Sequence, residues 1–209
     1  MKNQQVIIYQ IICLLLILSV TILLIRQQKQ TVEQPMTTTS VKDAALSVIY
    51  NRKSVRNFIP NKPISKEDIN TIIKAGMSAP SGKDTRPWEI IVIDDQEILQ
   101  SLATKLPHAK MLAQSPLAMV VCGDTTKSSY WYVDCSAVTE NILLAVEAME
   151  LGAVWTAAYP YQDRMDAVIQ SVNLPENILP LCVIPMGYPK GEHQPKDKYD
   201  ETKIHYNKW

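Results

Sequence analysis

The chain has 209 residues, and its 21 Lys+Arg balance 21 Asp+Glu, so the formal net charge is zero. A neutral total argues against nucleic acid as the main partner, because that binding needs a basic face. A hydrophobic fraction of 46% suits a chain that buries a core, and the length allows one domain plus an appendage.

After a short flank, residues 1–5, the run "VIIYQIICLLLILSVTILLI" (residues 6–25) carries no charge and has the ~20 residues that a spanning helix requires. It ends in "LLIRQQKQ", without the small-residue cleavage pattern of a signal peptide. The expectation is an uncleaved transmembrane anchor over 6–25, a Thr/Gln-rich flexible linker over 26–39 and a folded domain over 40–209.

Ser40 and Asp43 form a capping-box-like pair before an apolar pattern, predicting a helix that ends near Asn51. Ser65 and Asp68 repeat the device, and Pro80 closes that second helix. A strand is expected over Glu89–Asp95, a helix over Gln96–Leu106 and a strand over Pro116–Asp124. The longest helix should run from Trp131 to Leu151 with Gly152 ending it, followed by "AVWTAAYP" as a strand or turn. A helix over Gln162–Val172 and a strand over Ile178–Pro189 precede a polar tail too poor in apolar surface to fold by itself. Strands and helices alternate without strict βαβ order, which favours α+β.

Four widely spaced cysteines contain no CxxC pair, so no zinc site is expected, and Cys122 and Cys182 read as small buried hydrophobes. No Ser–His–Asp or Cys–His constellation is visible, so no catalytic side chain is assigned.

Four stretches carry the remaining chemistry. In "NRKSVRNF", Arg52, Lys53, Ser54 and Arg56 set three cations around one hydroxyl, suited to phosphate oxygens, although a solvated helix end also explains them. "SAPSGKDTRPWEI" exposes Pro80, Ser81, Gly82, Asp84 and Arg86 on a loop before Trp88; an ordinary connector is the alternative. The long helix with "LGAVWTA" and the tail pair Lys196 and Lys198 are individually unremarkable.

Taken in order, these four elements resemble the FMN-dependent nitroreductase family over essentially all of residues 40–209. The resemblance implies an α+β fold with a central, mainly antiparallel sheet flanked by helices, and a homodimer with a swapped C-terminal tail. One FMN would lie at each active site on the interface. Arg52, Lys53, Ser54 and Arg56 would hold the FMN phosphate and ribityl chain. Pro80, Ser81, Gly82, Asp84 and Arg86 would reach the cofactor from the partner subunit. Trp155, Thr156 and Ala157 would pass the isoalloxazine, and Lys196 and Lys198 would return to the phosphate.

The family usually has Asn in place of Asp84 and Gln in place of Arg86, and these two charges could pair with each other. Tyr130 and Trp131 are candidates for the mouth of an open pocket, with a core role as the alternative. The implied activity is ping-pong hydride transfer from NAD(P)H through the flavin to an electron-poor acceptor such as a nitroaromatic or quinone. A nicotinamide donor implies a cytoplasmic domain on the membrane anchor. A deiodinase-like dehalogenase of the same fold, suggested by the anchor, and a non-catalytic tethered flavin- or nucleotide-binding module are the rival readings.

Overall fold

The structure, a computed structural model, describes residues 14–22 and 38–209. Contacts divide the chain into two units, Met1–Ala45 and Leu46–Trp209.

Residues 14–22 are helical (α1), with exposed side chains throughout. Nine helical residues rise about 14 Å, against the roughly 30 Å of a bilayer core. Among the described residues no helix is long and apolar enough to cross a membrane. This finding overturns the expected transmembrane helix over 6–25 and, with it, the membrane-anchored placement of the domain. The remainder of that span, residues 6–13 and 23–25, lies outside the described residues, as do the flank 1–5 and 26–37 of the linker. The dehalogenase reading drew on the anchor and loses that support.

Helix α2 spans Thr38–Asn51, so Ser40 lies inside it and is not its N-cap. Helix α3 (Lys66–Met77) starts as the sequence predicts: the Ser65 hydroxyl accepts the amide of Asp68 at 3.0 Å. Strand β1 (Trp88–Ile93) stops two residues early because Asp95 is occupied in capping α4 (Gln96–Lys105), accepting the amides of Glu97 and Ile98. Strand β2 (Leu117–Asp124) precedes the long helix α5 (Trp131–Ala148). The segment after α5, expected as a strand or turn, holds two short strands, β3 (Gly152–Ala153) and β4 (Thr156–Ala157), on the same side of β5. Helix α6 (Gln162–Val172) and strand β5 (Ile178–Gly187) complete the domain.

The sheet is antiparallel throughout, in the order β1-β2-β5-β3, with β4 also on β5. All eight residues of β2 are buried, because helices cover both faces of the sheet. Leu117, Met119 and Val121 point into a core shared with α3 and α5, while Ala118, Val120 and Cys122 point into one shared with α4 and α6. That alternation gives an α+β domain of three layers. The third cysteine, Cys135, is buried like Cys122 and Cys182.

Helix α5 ends at Ala148, three residues before the expected Leu151, with Glu150 in the left-handed region at φ 57°. Gly152 is therefore not the helix stop. It sits under Val55, where a Cβ would lie 2.6 Å from Val55 Cγ1. Its lack of a side chain is what lets the segment carrying Arg52–Arg56 pack onto the sheet.

Candidate functional site

The Arg52 amide makes the last helical bond of α2, donating to the Val48 carbonyl at 3.0 Å. The chain then extends alongside β3: Ser54 bridges Ala153 in parallel, and the Val55 amide donates to the Ala153 carbonyl at 2.9 Å. Val55 and Phe58 are the buried anchors of this segment. With Val55 inside, its polar neighbours face outward, so the extended geometry rather than a continued helix governs the cations.

Arg52, Lys53, Ser54 and Arg56 line one cleft of about 280 Å³ together with Gln194, Lys196 and Lys198. Six of the residues expected at the phosphate are thus brought together from sequence positions more than 130 apart. The lining holds five cations, a hydroxyl and an amide, and no carboxylate. Such a donor-rich set fits a phosphate group and suits no cation. An adjoining groove of about 740 Å³ shares Arg52, Lys196 and Lys198 and adds Tyr50, Asp197 and Tyr199.

Two of the cations are also braced from behind, by acids that sequence reasoning missed. Arg52 Nε lies 3.3 Å from Glu140 Oε1, and Lys53 Nζ lies 2.7 Å from Glu147 Oε1. Both acids project from α5, seven residues apart and hence on one helix face. Two carboxylates on the outer face of a mostly apolar helix were the available signal. Arg56, Lys196 and Lys198 have no ion pair among the described residues.

The Pro80–Arg86 loop does not line that cleft. It is tied to the first turn of α5 instead. The Ser81 hydroxyl donates to Asp134 Oδ2 at 2.9 Å and accepts the Arg86 amide at 2.9 Å, while the Gly82 amide donates to Asp134 Oδ1 at 3.2 Å. Asp134 is buried, and this role was also missed in the sequence.

The expected pairing of the two atypical charges is present: Arg86 Nε and Nη2 donate to the two carboxylate oxygens of Asp84 at 2.6 and 2.7 Å. The hydrogen bond from Arg86 holds the Asp84 carboxyl below its ordinary range, and the same bond raises the guanidinium. Lys83, Asp84 and Arg86 all adopt left-handed φ of 54°, 56° and 45°, a conformation that costs energy for residues with a side chain. Pro80 precedes this turn as an exposed residue.

Trp155, Thr156 and Ala157 begin one residue beyond Ala153, past Val154, and so come just after the strand against which Ser54 and Val55 lie. Thr156 Oγ1 donates to the Val183 carbonyl and Trp155 packs partly into the α3–α5 core, which fixes the segment on β5. Trp131 takes the core role. It is buried edge-on to Tyr159 at 5.0 Å, above the bare Gly123, where a Cβ would meet its ring at 2.5 Å. Tyr130 is exposed.

This arrangement has relatives. The nitroreductase family model matches residues 49–106 and 103–188. A protein of Archaeoglobus fulgidus, provisionally named NADH dehydrogenase/NAD(P)H nitroreductase, is 40% identical over 174 residues, 80% of this chain and 99% of the relative. A crystal structure from Bacteroides thetaiotaomicron under the same provisional name is 61% identical, covering 79% of this chain and 98% of that one with a TM-score of 0.78. A structure described as an FMN-dependent nitroreductase, from Clostridium difficile, is 27% identical, covering 78% of this chain and 99% of that one with a TM-score of 0.74.

Proposed function

This chain belongs to the nitroreductase family, and from that premise we propose that it is an FMN-dependent oxidoreductase passing reducing equivalents from NAD(P)H to an electron-poor acceptor. The names of its relatives support the nicotinamide donor and the flavin. The observation that carries the reading is the carboxylate-free cleft in which Ser54 and five cations converge.

In this reading the phosphate of FMN sits among Arg52, Ser54, Arg56, Lys196 and Lys198, with Lys53 as the inner wall. The guanidiniums supply planar forks, while the lysines act as point charges. Trp155, Thr156 and Ala157 extend the wall from Ser54 along β4 toward the ring system. When bound, FMN supplies the two-electron chemistry, and the protein supplies position and electrostatics. A nitroaromatic or quinone then uses the space that the nicotinamide vacates, giving ping-pong kinetics.

A second copy of the chain belongs to the same proposal. Asp134, which holds the Pro80–Arg86 loop, and Glu147, which holds Lys53, are thirteen residues apart on α5, about 20 Å of helix. One chain therefore keeps this loop apart from its own cleft, and a partner could supply it. Exposed Tyr199, Tyr206 and Trp209 on the tail suit burial against that partner.

The test uses the full chain. It should take up FMN, turn yellow, bleach anaerobically with NADH or NADPH, and give parallel double-reciprocal lines with a nitroaromatic or quinone. Its mass in solution should be that of a dimer. A colourless chain that retains no added FMN would refute the flavoenzyme reading; a yellow chain that neither nucleotide bleaches would refute the nicotinamide donor and favour a binding module or a different electron donor.

A further inference from the structure

Lys53 occupies an unusual position. Its ammonium lines the cleft, yet it is already 2.7 Å from Glu147. The side chains of the pair are 24% and 15% exposed, so solvent screens the contact far less than a surface ion pair. Glu147 itself does not line the cleft. An anion entering the cleft must share Lys53 with this carboxylate or draw it away. Glu140 stands in the same relation to Arg52, more weakly, at 3.3 Å and half exposed.

The charge count gives this competition a purpose. Five cations against two carboxylates leave a surplus of about three charges. A phosphate monoester carries −1.5 to −2 near neutral pH. Each carboxylate repels a bound anion in proportion to that anion's charge, so the two acids disfavour a more highly charged anion by more than they disfavour a monoester.

We propose that Glu147 is a specificity-determining residue of the cleft, a built-in competitor for Lys53 that lowers its affinity for anions and biases it toward a phosphate monoester over a diphosphate. The inference rests on the reading of the cleft as a phosphate site. It does not require that the monoester be FMN.

The experiment titrates the full chain, free of flavin, with inorganic phosphate, pyrophosphate and FMN by calorimetry. Glu147→Gln keeps the side-chain shape and a hydrogen-bond acceptor while removing the charge. It should bind phosphate about threefold to tenfold tighter, with a larger gain for pyrophosphate. Glu147→Asp, which withdraws the carboxylate by one methylene, should give a smaller gain and serves if the glutamine variant does not fold. Adding Lys53→Met to Glu147→Gln should abolish the gain. Unchanged or weaker phosphate binding in both Glu147 variants overturns the proposal, because Glu147 would then position Lys53 for the anion. A gain that survives Lys53→Met overturns it as well. Wild type that ignores FMN, with the phosphate shift intact, would sink the flavoenzyme reading and leave this one standing.

Discussion

Asp134 holds Ser81 through a 2.9 Å hydrogen bond at a site only 6% exposed, and no basic side chain pairs with that carboxylate among the described residues. Its charge is met by the Ser81 hydroxyl and the Gly82 amide. Asp134→Ala leaves both donors without their acceptor and should cost about 1–3 kcal/mol of stability. Denaturant unfolding reads that loss. If the Pro80–Arg86 loop reaches the flavin of a partner, FMN retention falls as well; a variant that loses stability and keeps full FMN affinity would separate the loop from the cofactor.

Gly152→Ala would place a methyl 2.6 to 2.7 Å from Val55 Cγ1 and Cβ. Neither atom can swing away, since Val55 is buried and bonded through its amide to Ala153. The expected cost is about 1–3 kcal/mol, read in the thermal midpoint, together with weaker FMN retention because the Arg52–Arg56 segment must shift. Wild-type stability and affinity would mean that this segment is not seated by that contact.

Among the cleft cations, removal should not be uniform. Arg52→Ala and Arg56→Ala should each weaken FMN retention by at least about 1.5 kcal/mol, roughly tenfold. Lys53→Ala should weaken it less, since Glu147 already occupies that ammonium. Equilibrium dialysis at fixed ionic strength compares the three, and an unchanged affinity for Arg52→Ala would remove it from the phosphate.

Asp124 gives the pH prediction. Hydrogen bonds from the Thr126 hydroxyl and amide, and from Asn177, hold its carboxyl below the ordinary 3.8. A depressed folded value means the contribution is present above pH 3.8 and lost as pH falls through the folded value. Asp124→Asn should therefore melt earlier than wild type at pH 7, with the gap closing below pH 3.8. A gap independent of pH would assign the loss to packing.

Burial pushes the Cys135 and Cys182 thiols up to about 12, and raises Cys122 as well. At pH 8 the native chain should leave these three unlabelled by a maleimide, whereas denaturant should expose all of them. Peptide mapping assigns the sites, and native labelling of Cys135 would show that α5 opens locally.

What could be read from sequence was local. The Ser65 cap, the α6 bounds and the burial of Cys122 and Cys182 all follow from neighbours within a few positions. The gathering of Arg52–Arg56 with Lys196 and Lys198 was reached only through the order of motifs, since no local rule links positions so distant. Glu140, Glu147 and Asp134 escaped because their partners are about 50 to 95 residues away and an acid on a helix face is ordinarily solvated. Of the two readings open for Trp131, pocket mouth or core, packing decides for the core, where the missing side chain of Gly123 makes room for its ring. The apolar count over 6–25 suggested a spanning helix where the described helix is nine residues.

The three acids of α5 also constrain how this chain can diverge. Each residue of a helix advances about 100° around the axis. A one-residue insertion or deletion between Asp134 and Glu147 would turn one end's carboxylates away from their partners while leaving the other end in place. Single substitutions along that stretch can accumulate and be compensated one at a time; a change in its length cannot. Homologues should vary in the loops on either side of α5 and keep the thirteen-residue interval as a fixed measure.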